Sequence, residues 1–212
     1  MNYLELINKC LVELGYKTYT DFTDLVKNDH EKIKNILNIL NAEVCGSDSW
    51  NFLLRKVQIE LPKNTGEIIN TVSGRIRSIY IDGTKYYFFD DFEKFLLNRQ
   101  PSNTYTVFNN KILLPIFKQN KMVDIIYYTN NFAKDTDGQD ISQMSKESDE
   151  SQIPYPFVEP ILVYGTCMRL KGNSEHNKFT YWYGMYKESL SNLRSKIGIN
   201  AQGAPSIKLN RK

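Results

Sequence analysis

Ile153-Pro154-Tyr155-Pro156-Phe157-Val158-Glu159-Pro160 marks the point where the chain changes character. A long polar, acidic segment ends there, and a helical pattern begins that runs to Leu170. Phe157, Ile161, Tyr164 and Met168 recur at helical spacing, and the stripe stops near Gly172, after Lys171. Apolar stripes of matching period occur again only further on and at the other end of the chain. The last helices are therefore expected to pack back on the first ones, across an intervening β region.

Downstream, Phe179, Tyr183, Tyr186, Leu190, Leu193 and Ile197 alternate steps of four and three, the seam of a helix packed along its length. Ser174 is its expected N-cap and Gly198 its stop. At the opposite end, Leu4, Ile7, Leu11 and Leu14 predict a helix over residues 2–14 that ends at Gly15. A second helix follows Asn28, with Glu31 three residues on as in a capping box. It carries Ile33, Ile36, Leu37, Leu40 and Val44 and ends at Gly46.

From Trp50 the period becomes two. Val57, Ile59 and Leu61 share one face of a strand. Ile79 to Phe88 reads as a hairpin turning at Asp82-Gly83, since that pair accepts the positive φ of a tight primed turn. Thr104 to Leu114 reads as another, turning at Asn109-Asn110, and Val123–Tyr128 adds a further strand. Between the hairpins, Asp90 to Leu96 has helical spacing and an acidic first turn. Lys134 to Gln152 has too few apolar anchors to order itself and is expected to be mobile unless a neighbour holds it.

These readings predict an α+β fold: a helical bundle from the N- and C-terminal helices with an inserted antiparallel β domain. Residues 1–49 and 154–197 form the bundle, 50–133 the β domain, 134–153 a flexible acidic loop and 198–212 a C-terminal tail.

At 212 residues the chain is long enough to bury about 70% of its extended surface. A net charge of +3, from 27 basic and 24 acidic residues, is too balanced for affinity built on phosphate neutralisation. Cys10, Cys45 and Cys167 lie far apart within helical patterns and read as small core residues in a reducing environment. The N-terminus lacks a signal-peptide pattern and no apolar run approaches a membrane span, so a soluble protein is expected.

Reactive constellations are not evident. His30 and His176 have neither metal-ligand spacing nor a nucleophile beside them. Asp90-Asp91 suits a helix dipole better than a cation. The glycines form no phosphate cradle, and Tyr181-Trp182-Tyr183 with Met185-Tyr186 fits helix packing or a subunit contact better than base stacking. No enzyme activity, cofactor or metal is expected. The tail carries apolar anchors at Ile199, Pro205, Ile207 and Leu209 beside a basic Lys208, Arg211 and Lys212, a mixture suited to ordering on a partner.

The run Leu6-Ile-Asn-Lys-Cys-Leu-Val-Glu-Leu-Gly15, the segment Ile36-Leu-Asn followed by Ser49-Trp50-Asn-Phe52 and a strand, and Ile153-Pro-Tyr-Pro-Phe157 before a C-terminal helix pair together resemble phage head-to-tail adaptor proteins, in particular the tail tubular protein A type of short-tailed phages. The resemblance spans residues 1–197 and rests on joint order and spacing. The acidic segment 134–152 is more elaborate than the family's pattern.

The resemblance implies a structural virion protein, assembled in the host cytoplasm. Its copies, commonly twelve, form a ring beneath the portal, extend the DNA channel without binding DNA specifically, and offer the β side to the tail or nozzle protein. It also makes Ile199, Pro205, Ile207, Lys208, Leu209, Arg211 and Lys212 the candidate portal-binding residues. The alternatives are a nucleic-acid-binding module using the Tyr-rich sheet and basic tail, with salt-sensitive binding, and another neck or tail-completion protein.

Overall fold

The structure, a computed structural model, describes residues 1–97, 101–173 and 176–197. The chain divides into two compact units. One is Leu54–Asn130, and the other joins Met1–Leu53 to the chain from Asn131 onward.

Residues 54–130 form a seven-stranded sheet: β1 Leu54–Leu61, β2 Glu67–Ile69, β3 Gly74–Ile81, β4 Thr84–Phe88, β5 Thr104–Phe108, β6 Lys111–Leu113 and β7 Lys121–Thr129. Their spatial order is β1-β7-β3-β4-β5-β6-β2, and the sheet curls until its edge strands β1 and β2 approach each other. Alternation decides what is buried. Ile59 sits opposite Val123, and Val123 and Ile125 in turn face Ile81 and Ile79 across β3 and β7. Leu61, Ile68, Tyr86, Tyr105, Ile112 and Leu114 complete the interior. Burying apolar side chains of this size stabilises by roughly 1.5–3 kcal/mol each. Both expected hairpins form, with positive φ at Asp82 (49°), Gly83 (78°), Asn109 (47°) and Asn110 (58°). Gly74 lies so close to β7 that any Cβ would collide with the Tyr128 carbonyl oxygen.

The other unit holds four helices, α1 Tyr3–Glu13, α2 Asn28–Ser47, α4 Gly165–Leu170 and α5 Phe179–Ile197, with a π-helical turn at Pro160–Tyr164 leading into α4. Asn2 caps α1 in a reciprocal box with Glu5: Glu5 N–H donates to Asn2 Oδ1 (2.8 Å) and Asn2 N–H to Glu5 Oε2 (2.9 Å). The α2 start differs from expectation. Lys27 is the capping residue, and its N–H donates to His30 Nδ1 at 3.4 Å. Leu6, Ile7, Leu11, Leu37, Leu40, Ile161, Leu162 and Cys167 form this unit's interior.

The expected fold class does not hold. The chain is not a helical bundle carrying an inserted antiparallel β domain but a mixed α/β fold dominated by the nearly closed sheet. Among the described residues there are five helices, and α1, α3 (Phe92–Leu96) and α4 are short. The large sheet is not wholly antiparallel either, because β4 and β5 run parallel, with Tyr87 opposite Thr104. The cause is α3, which lies between those strands in the chain and lets it return in the same direction. Two hairpins separated by a helix read as two antiparallel pairs, whereas the helix is the crossover that joins them.

Segment 134–153, expected as a flexible loop, contains structure. β8 Ala133–Lys134 pairs with both β9 Asp140–Ile141 and β10 Glu150–Ser151 in a three-stranded sheet. Polar side chains of α2 add to the segment's few apolar anchors, the buried Met144 and Ile153. Asn38 accepts from Met144 N–H (3.0 Å) and donates to Met144 carbonyl (2.9 Å), while Asn41 donates to Phe132 carbonyl (2.9 Å) and accepts from Ser151 Oγ (2.7 Å). Hydrogen bonds that satisfy backbone groups in this way substitute for hydrophobic burial.

Candidate interaction surfaces

In the sheet-forming unit, β4 exposes Tyr87 (60%) and Phe88 (59%), α3 exposes Leu96 and Leu97, and β5 exposes Val107 and Phe108. The three elements are neighbours. Phe88 meets Tyr105 edge-on at 5.7 Å, and Phe92 stacks on Phe108 at 4.2 Å. These exposed apolar side chains on neighbouring elements are candidates for an interaction surface, Tyr87 with Phe108 and Phe88 with Val107 falling on alternate faces of the sheet. Asp91, at its edge, caps α3 by accepting from Lys94 N–H (3.0 Å) and pairs with Lys94 Nζ (2.7 Å). These hydrogen bonds hold its carboxyl below the usual range. Asp91 of the Asp90-Asp91 pair thus serves the helix start, as its position in the sequence suggested.

In the helical unit, α5 splits the aromatic run. Trp182 is buried, its Nε1 donating to Glu13 Oε2 at 3.0 Å and its ring stacked on His176 at 5.1 Å. Tyr181 and Tyr183 stay exposed. Tyr181 meets Tyr164 edge-on at 5.5 Å, and Tyr183 lies 5.7 Å from Lys187 Nζ. The inward face therefore runs through Trp182 and Leu193, with Tyr186 half-buried, and excludes Tyr183, which the four-three spacing had included. A neighbouring Trp outcompetes Tyr for the interior because it carries more apolar area and finds its single donor a partner.

Cys10, Cys45 and Cys167 are buried and free, and burial pushes the Cys10 and Cys45 thiols up. No group of three metal-ligating side chains occurs among the described residues. His30 and His176 lie apart in function: His176 packs on Trp182, whereas His30 sits at the head of α2 beside Tyr19, ring centroids 4.9 Å apart. The portal-binding candidates Ile199, Pro205, Ile207, Lys208, Leu209, Arg211 and Lys212 lie outside the described residues, as do Ser174 and Gly198.

Sequence reasoning missed a concavity of about 390 Å³ lined by Tyr16, Lys17, Tyr19, Lys27, Asp29 and His30. No periodicity connects these residues, because they come from the α1–α2 connection and the first turn of α2. Among the described residues no helix is long and apolar enough to cross a membrane. No protein-family model and no curated protein matches the sequence.

Proposed function

We propose that this protein is a structural component of a phage virion, a ring-forming adaptor between portal and tail that extends the DNA channel. One observation supports the reading more than any other: the N-terminal helices and the helices of residues 160–197 belong to one compact unit, while residues 54–130 make another. A joint between two assemblies needs two surfaces on one subunit, and a chain of two compact units suits that need. Trp182 and Lys178 of the C-terminal region both reach Glu13 near the end of α1, and Cys167 Sγ approaches the Cys10 carbonyl at 3.8 Å. The family-like motifs at Leu6–Gly15 and Ile153–Phe157 belong to this same unit. The exposed aromatic surface of β4, α3 and β5 suits contact with the tail or nozzle, and the tail residues 198–212 suit contact with the portal.

The test is a mass measurement of the chain alone and mixed with the portal protein of the same phage. A portal-dependent ring of many copies supports the reading. A monomer indifferent to portal removes it.

A further inference from the structure

The concavity at the head of α2 is a constructed feature. Gly15, at φ 78°, turns the chain out of α1, with its N–H donating to the Val12 carbonyl (3.0 Å) and that of Tyr16 to Leu11 (2.8 Å). Asn8 then clamps Tyr19 from both sides, accepting from its N–H (2.9 Å) and donating to its carbonyl (2.7 Å). This brings the Tyr19 ring edge against His30 and closes one wall. The opposite side is the N-terminal turn of α2, where the helix dipole is positive.

The nitrogen-bearing side chains of this hollow, Lys17, Lys27 and His30, present donors. His30 is only 4% exposed, and its Nδ1 accepts the Lys27 N–H, which places the proton of the neutral ring on Nε2. That Nε2 makes no hydrogen bond to the described residues. Lys17 and Lys27 likewise form no ion pair with the described residues, while the one carboxylate of the lining, Asp29, pairs with Lys32 at 3.4 Å. Two lysines, the His30 Nε2–H and a helix N-terminus line one hollow, whose single carboxylate, Asp29, is engaged by Lys32. A volume of about 390 Å³ lies within the range of small-molecule sites, and the Tyr16 and Tyr19 rings wall it.

We propose that this concavity is a binding site for a phosphate group, held by Lys17, Lys27 and His30 at the head of α2. A phosphate offers oxygens for all three donors at once and a charge that two lysines and a helix dipole complement. The inference is independent of the adaptor reading, since it rests on the α1–α2 connection alone.

The experiment follows the ring resonances of His30 and Tyr19 by NMR in the full chain, at constant ionic strength, during titration with inorganic phosphate and, separately, with phenyl phosphate. Saturable shifts at His30 are expected, with Lys17→Gln and Lys27→Gln each weakening binding about tenfold. Lys187→Gln, an exposed lysine of α5, should change nothing. Tighter binding of phenyl phosphate would identify an aromatic phosphoester as the ligand class, and equal or weaker binding would identify phosphate itself. Absence of a saturable His30 shift up to about 50 mM of either probe overturns the proposal. Equal weakening by Lys187→Gln also overturns it, because the effect would then be general charge screening. Both lysines are exposed, so the variants keep the fold, which the remaining resonances verify.

Discussion

Asp149 is 1% exposed and holds a turn by itself: its Oδ2 accepts from Ser145 N–H (2.7 Å), Lys146 N–H (2.7 Å) and Ser145 Oγ (3.2 Å). Replacing it with Ala strips the Ser145 and Lys146 amides of their acceptor and removes a carboxylate that is itself buried. Asp149→Ala should therefore cost about 2–3 kcal/mol in urea denaturation, and Asp149→Asn clearly less, since an amide oxygen still reaches both N–H groups. His30 acts through protonation. Burial lowers its pKa first, Lys27 and Lys34 lower it further, and Asp29 and Glu31 oppose them. A base whose folded pKa lies below its ordinary 6.5 binds more protons when unfolded than in the native state. Its contribution to stability is thus complete above pH 6.5 and is lost as pH falls through the folded value. Denaturation midpoints across that window should fall less steeply for His30→Gln than for the parent chain. None of this was visible in the residues alone: Asp149 is one of many acids in a polar stretch, and His30 has no neighbour in sequence that marks it as buried.

Gly165 shows what the elements demand. A Cβ there would run into Leu40 Cδ2 and sit 3.0 Å from Tyr186 Cδ2, so α4 approaches α2 and α5 only because this residue has no side chain. Gly165→Ala gains helix propensity but overpacks a fully buried contact, and a net loss of about 1–3 kcal/mol in thermal or chemical denaturation is expected. Elements with local causes were legible: the apolar stripes of α1 and α2, the alternation of β1, and both tight turns, whose Asp-Gly and Asn-Asn pairs tolerate positive φ. Elements with non-local causes were not. The segment holding the two-residue strands β8, β9 and β10 is tied to α2 from 91 to 110 positions away in sequence, Asn41 reaching Ser151 of β10 and Phe132 beside β8, and Asn38 reaching Met144 between β9 and β10. The parallel β4–β5 pair depends on the α3 crossover returning the chain beside β4, and the approach of β1 to β2 on how the whole sheet curls, neither of which a single strand encodes. The concavity of Lys17, Lys27 and His30 was hidden for the same reason, being assembled from a connection rather than a pattern.

For the molecule as a whole, charge is distributed unevenly. Residues 54–130 carry eleven Lys or Arg against seven Asp or Glu, and the rest of the chain sixteen against seventeen. A local excess this small neutralises few phosphates, so duplex DNA should bind more weakly than about 10 µM at ~0.15 M salt, measured by fluorescence anisotropy. Tighter, salt-sensitive binding would favour a nucleic-acid-binding module over a channel through which DNA slides. The N-terminal and C-terminal helices share one unit, and Trp182 reports on that directly. Its indole N–H donates to Glu13 across 169 residues of sequence. A nuclear Overhauser contact between the Trp182 indole proton and the side chain of Glu13, with slow exchange of that proton, is the predicted result. A rapidly exchanging indole with no contact to α1 would contradict it.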